Sequence, residues 1–217
     1  MPPRANLRLS TRTRQNEVAT NAQEPMRGVI DALAVIELDE VAHCACTLPD
    51  GNFATGSDSG MLRVYGCDGG IIGSDALDSR VVGLASLGDH LVTATSTGGV
   101  RVFHNESPWS HPIESGCEAI SASSDYTVAA DGIGRLIALT ADGSEVAEAE
   151  FGHVTSLTCS PEGVCAAALE DGRLLLLGPT LAVLHDSPAA EDDVETISCM
   201  VFRSDGILLV ARNSLGM

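Results

Sequence analysis

The sequence has 217 residues, 44% of them hydrophobic, which is enough to bury a sizeable core and excludes a wholly disordered chain. Its formal net charge is −18, from 30 acidic and 12 basic residues, and every basic residue is Arg. A body this acidic repels phosphate backbones at long range, which argues against nucleic-acid binding and for a protein partner with a basic surface.

The charge is uneven along the chain. Arg4, Arg8, Arg12 and Arg14 give residues 1–16 a charge of +4 with no acid among them, and the remainder carries −22. Residues 1–27 read as a basic tail, expected to be disordered or to act as a targeting segment. They are rich in Arg, Ser and Thr and poor in acid, as organelle transit peptides are. No apolar run follows Arg4, so a secretory signal is not predicted, and no stretch approaches the roughly 18 apolar residues of a membrane helix. Residues 28–36 are apolar enough for a strand, and the propeller domain inferred below is taken to span 28–217.

From residue 41 onward helical periodicity is absent and a repeat takes over. Five segments align without gaps over eight positions: 53–60, 91–98, 127–134, 165–172 and 209–216. Each ends in glycine, and Gly60, Gly98, Gly134, Gly172 and Gly216 are 38, 36, 38 and 44 residues apart. A period of about 40 residues suits four short strands and their turns. Within each unit, small or apolar residues form a strand, and a polar turn closed by Gly follows, because Gly takes positive φ without steric cost. The next strands are predicted at 62–65, 100–103, 136–139 and 174–177. Upstream strands at 41–46, 81–85, 120–122, 154–159 and 197–202 run into turns such as Leu48-Pro49-Asp50-Gly51 and Ser160-Pro161-Glu162-Gly163. Asp-Gly pairs, strong hairpin signals, begin at Asp50, Asp68, Asp131, Asp142, Asp171 and Asp205.

The stretch from Phe151-Gly152-His153-Val154 through Ser160-Pro161-Glu162-Gly163 to Glu170-Asp171-Gly172 resembles a WD repeat. Gly56-Ser57-Asp58-Ser59-Gly60-Met61-Leu62-Arg63-Val64-Tyr65 resembles the second hairpin of that family, with Tyr65 in the Trp position. The resemblance covers residues 41–217. Gly-His occurs in one unit and the Trp-Asp dipeptide in none, so the repeats are degenerate. The resemblance implies an all-β fold: a β-propeller of four-stranded antiparallel blades, with about five repeats and the last blade incomplete at the C-terminus. It also implies a His–Asp hydrogen-bond network at His153 and Asp171, with Asp58 as a further candidate. The fifth unit stops one residue after its turn glycine. An N-terminal strand often completes the last blade in that family, and 28–36 with 6–9 would serve. The rival is a propeller fragment, or a blade completed by another chain, since an open edge templates pairing.

The function implied by the resemblance is a non-catalytic protein–protein interaction module, a scaffold or subunit of a larger complex. By fold-level analogy one face carries the turns at Asp58 and Asp171 and the inter-blade loops at Asp75, Asp78, Arg80, His153, Asp192 and Asp193. Trp109, the only tryptophan, is a candidate hot spot or a packing residue, in a loop that also holds His104, Glu106 and His111. The alternative is a propeller enzyme with His, Asp or Glu converging in the central channel. No catalytic or cofactor motif is present. Gly56-Ser57-Asp58-Ser59-Gly60 centres Asp rather than Ser, and no His-Glu-x-x-His or phosphate loop occurs. Cys44 and Cys46 share one strand face while His43 points the other way, which reads as core rather than metal site. Seven scattered cysteines, an odd number, favour a reducing compartment, cytoplasmic or nuclear, over a disulfide framework.

Overall fold

A computed structural model describes residues 38, 40–103, 108–188 and 195–214. The basic tail, the strands expected at 6–9 and 28–36, His104, Glu106, Asp192, Asp193 and Gly216 lie outside the described residues. The described residues form 18 strands and no helix. None of them therefore makes a helix long and apolar enough to cross a membrane.

Four sheets have four antiparallel strands in chain order, each strand hydrogen-bonded to the next. Blade one comprises β1 (Ala42–Thr47), β2 (Phe53–Ser57), β3 (Met61–Tyr65) and β4 (Ile71–Ala76). Blade two comprises β5 (Val81–Leu87), β6 (His90–Thr95), β7 (Gly99–Phe103) and β8 (Trp109–His111). Blade three holds β9 (Cys117–Ala122), β10 (Tyr126–Asp131), β11 (Arg135–Thr140) and β12 (Glu145–Glu150). Blade four holds β13 (Val154–Cys159), β14 (Cys165–Leu169), β15 (Leu174–Leu177) and β16 (Val183–Ser187). Blade five has two strands, β17 (Glu195–Phe202) and β18 (Leu208–Ser214).

The blades pack face to face, and the strand period of two explains how. In β10, Ala129 points to blade two, among Val92, Val100 and Ile120, whereas Val128 and Ala130 point to blade four, among Ala167 and Leu175. In blade four, Ala167 and Leu175 face blade three while Ala166, Ala168, Leu174 and Leu176 meet Ile197 and Met200 of blade five. Both faces of a central strand are thus covered, so β10 and β14 are buried at every position. That is why β14 reads as an unbroken small and apolar run, and β10 does so from Val128 to Ala130. Small alanines let adjacent sheets approach, and the neighbouring leucines fill the space. Burying one such leucine contributes roughly 1.5–3 kcal/mol.

The first strand of each blade is innermost. β5 packs between β1 and β9, and β13 between β9 and β17. These strands surround a central channel of about 830 Å³ walled by residues of all five blades, from Cys46 and Phe53 through Leu84, Ile120 and Leu157 to Met200 and Val201. No comparable packing joins β17 to β1 among the described residues, so they form an arc. The far face of blade five leaves Val201 and Leu209, direct partners in register, about half exposed.

The turn glycines behave as expected in three units: Gly60, Gly134 and Gly172 have φ of 88°, 93° and 85°. The second unit departs from the gap-free alignment. There the left-handed residue is Gly99, with φ of 91°, one position later than Gly98. The Thr95 hydroxyl takes the Gly98 amide at 3.1 Å, where those three units use a backbone carbonyl, and one further pair, Thr95 with Gly99, closes the hairpin. A Cβ on Gly99 would lie 2.3 Å from the His111 carbonyl oxygen, so glycine is required at that place.

Candidate interaction surface

With an even number of strands per blade, the hairpin turns sort onto two rims. One rim collects the turns between second and third strands, with the linkers that lead to the next blade. The other collects the turns between first and second and between third and fourth strands.

On the linker rim, charged groups pair from one element to the next. His43 Nδ1 lies 3.4 Å from Asp58, and Arg80 Nε 3.9 Å from the same carboxylate. Ser59 donates a short hydrogen bond to Glu40, which with Ser57 holds the Glu40 carboxyl below its usual range. Asp78 reaches Arg101 at 3.5 Å across the first blade junction. The linker itself is bonded to the next turn, since Ser96 N donates to Arg80 O at 3.0 Å. In blade three, Asp131 is fully buried at the end of β10. It accepts from Ser115 Oγ at 2.7 Å, from the Arg135 amide and Nε at 2.8 and 2.7 Å, and from the Ile133 amide at 3.0 Å. Burial alone would raise its pKa, but these donors outweigh it and keep Asp131 below the usual carboxylate range. Arg135 continues to Glu148 at 2.8 Å.

The His–Asp pairing implied by the family resemblance is replaced at His153 and Asp171, whereas the further candidate Asp58 does meet a histidine, His43. His153 Nδ1 meets Glu118 of blade three at 3.3 Å. Asp171 instead holds Arg173 at 2.8 Å, which keeps its carboxyl low, and Arg173 also reaches Asp186 at 3.6 Å. The two residues border one shallow cleft of about 280 Å³, joined by the Glu170 amide donating to the His153 carbonyl at 2.9 Å. The physical reason is an arginine two residues after Asp171, a nearer and permanently charged donor.

Asp58, Asp78, Arg80, His153 and Asp171 therefore do gather on one rim, already engaged with each other's neighbours. Asp75 sits on the edge strand β4, its carboxylate accepting from the Ala76 amide at 2.9 Å. Trp109 is elsewhere. It lies half-buried on β8 at the opposite rim, its ring against Gly143 of blade three, and its Nε1 donates to Ala141 O at 2.8 Å. Those contacts clamp blade two to blade three, which is the packing role.

The opposite rim was not singled out by sequence reasoning. Its described turns carry Asp50, Asp68, Asp89, Asp125, Asp142, Glu162 and Asp205, against Arg203 and His90. Several of these acids bond only their own turn. Asp50 accepts from Asn52 N, Asp68 from Gly70 N and Asp142 from Ser144 N, at 3.0, 3.0 and 3.2 Å. Thr140 and Ser144 together hold Asp142 below its ordinary value. Such local turns leave the charge facing solvent. The recurring Asp-Gly pairs were the available signal. Among the described residues, the channel wall contains no His, Asp or Glu.

Four complete antiparallel blades and half of a fifth, stacked radially about a channel between two turn-bearing rims, define a WD40-type β-propeller. Solved structures with this fold include the Myceliophteria thermophila Cps50 (Swd1) β-propeller domain, 12% identical with a TM-score of 0.66, covering 81% of this chain and 63% of that one. The RRP9 WD40 repeats are 16% identical with a TM-score of 0.67, covering 81% and 62%. The chain thus spans less than two thirds of either structure's length, and the likeness is one of fold. No family model matches the sequence, and no curated protein does.

Proposed function

We propose that this protein is a non-catalytic scaffold that holds a protein partner with a basic surface against its acidic rim. The observation that carries the reading is the segregation of charge: seven acidic side chains in the turns of one rim, accompanied by Arg203 and His90. Complementary potentials of that kind speed encounter and select partners. Rigid blades carrying loops support it as a platform. WD40 folds serve typically as interaction scaffolds. The work place proposed is a reducing compartment, cytoplasmic or nuclear, on the odd number and scatter of the cysteines. The test is fluorescence anisotropy of a labelled Arg-rich peptide against the full chain. Replacing Asp50, Asp68, Asp89, Asp125 and Asp142 by Asn keeps each turn's acceptor and removes five charges. At about 0.2–1 kcal/mol per exposed pair, affinity should fall at least about fivefold and lose most of its salt dependence. Unchanged affinity and salt slope would reject this rim.

A second element of the reading is completion of blade five by another chain. It is favoured by the two-stranded sheet, whose far face exposes Val201 and Leu209. Light scattering of the full chain alone tests it. A concentration-independent monomer with a sharp melt would count against it.

A further inference from the structure

Two of the seven cysteines face each other across a hairpin. Cys159 ends β13 and Cys165 begins β14, and they are direct partners in register. Ser160 N donates to Val164 O at 2.7 Å, so the next pair inward occupies a non-hydrogen-bonded site. Side chains approach most closely there, with Cα atoms about 4.5 Å apart, inside the 4.4–6.8 Å span of disulfides. Both residues belong to the core between blades three and four, so they point to one side. The intervening turn is held by Val164 N on Ser160 Oγ at 3.1 Å and by the Tyr126 hydroxyl on Gly163 O at 2.7 Å.

The two thiols are not equivalent. Cys165 is fully buried, whereas Cys159 is partly exposed. Cys159 is flanked by Thr158, and its amide donates to Ser121 Oγ at 2.9 Å; both residues line the central channel. Of the two, Cys159 is therefore the thiol that a small reagent reaches first. The Cys165 S–H beside it, helped by the Ser121 hydroxyl, favours the Cys159 thiolate against the opposing effect of burial, and Cys165 is raised in turn. Elsewhere burial dominates: Cys44 and Cys46 are pushed up to about 11 and Cys117 to about 12. Cys44 and Cys46 face Gly56 and Ala54 across the ladder, so neither has a thiol opposite.

We propose that Cys159 and Cys165 form a reversible intramolecular disulfide on meeting a low-molecular-weight disulfide. The Cys159 thiolate attacks one sulfur of the reagent, breaking its S–S bond and expelling one thiolate, which takes up a proton. Cys165 then loses its proton and attacks Cys159 Sγ, breaking the mixed disulfide and releasing the second thiol. Two protein thiols are oxidised and one reagent disulfide is reduced to two thiols.

The test uses the full chain treated with hydroxyethyl disulfide, acid-quenched, alkylated and digested with trypsin. Residues 136–173 form one tryptic peptide holding these two cysteines and no other. The expected product is that peptide lighter by two hydrogen atoms and free of alkylating groups, reverting on addition of dithiothreitol. Cys165→Ser should stop at a mixed disulfide on Cys159, and Cys159→Ser should react at least tenfold more slowly. The exposed Cys67 and Cys199 serve as reactivity controls. A wild-type peptide that stays fully alkylated while Cys67 reacts, or that halts at a mixed disulfide, would overturn the proposal.

Discussion

The two rims of the arc are both rich in carboxylates and use them in opposite ways. On the linker rim the acids bind across elements: Asp58 to Arg80, Asp78 to Arg101, Asp131 to Arg135 and Ser115, Glu118 to His153. On the other rim Asp50, Asp68 and Asp142 accept from amides two residues on. The same side chain therefore ties one element to another at one end and keeps its charge within its own turn at the other. The difference teaches that an acidic chain's charge is not one quantity. The part committed to cross-element pairs contributes to stability, and the part bound within its own turn remains for a partner.

The sharpest way to break this contrast is at Asp131. Asp131→Ala leaves Ser115 without its acceptor and the Arg135 guanidinium with Glu148 as its carboxylate partner, and it orphans the Ile133 and Arg135 amides. Truncating one partner of a largely buried pair should cost about 2–4 kcal/mol, read as a lower midpoint in urea with an unchanged slope. A loss under about 0.5 kcal/mol would mean that the linker rim is no more committed than the other. Next in size is Trp109→Ala. It removes the clamp from blade two to Gly143 and Ala141, and a half-buried aromatic anchor of this kind should cost about 2 kcal/mol. Peptide affinity should be unaltered in the same variant, and a large fall in affinity would return Trp109 to the partner-contact role.

Acid titration sharpens the same contrast. Asp131 and Asp171 have carboxyls lowered in the folded state. A lowered folded value means stabilisation that is complete above the unfolded value of about 3.9 and lost as pH falls through the folded value. The melting temperature should therefore hold steady from about pH 7 to 5 and fall progressively below about pH 4. In Asp131→Asn that acid limb should be shallower, because the largest buried contributor no longer titrates. An identical acid limb in wild type and variant would show that Asp131 is not the group that matters.

The blades were legible in the sequence because each depends on local chemistry: a small-residue strand, a polar turn, a glycine able to hold positive φ. The incomplete fifth sheet followed from the same count. What was hidden depends on where one element lies against another. The slip from Gly98 to Gly99 came from the Thr95 hydroxyl taking an amide three residues on. The network expected between His153 and Asp171 yielded to Arg173, whose spacing was visible but whose preference for Asp171 over Phe151 and Asp186 is a matter of geometry. The role of Trp109 required knowing that the turn at Gly143 lies beneath it. The acid rim was visible only as scattered Asp-Gly pairs, since the sequence does not say that alternate turns share an end until the strand count per blade is known.

The smallest expected effect is also the most discriminating. Replacing Asp50, Asp89 and Asp125 together by Asn should shift stability by less than about 0.5 kcal/mol, because exposed charges at turns contribute little and Asn preserves the local acceptor. Relief of like-charge repulsion along the rim acts in the stabilising direction, so the sign should be positive at low salt and vanish at high salt. On the linker rim, a matched set such as Asp58, Asp78 and Asp171 to Asn should move stability the other way, since each carboxylate there faces an arginine. Denaturant midpoints for the two triple variants, measured at low and high salt, set the rims against each other directly. Opposite signs that converge with added salt are what the geometry requires, and equal losses from both sets would mean that the two rims carry their charge in the same way.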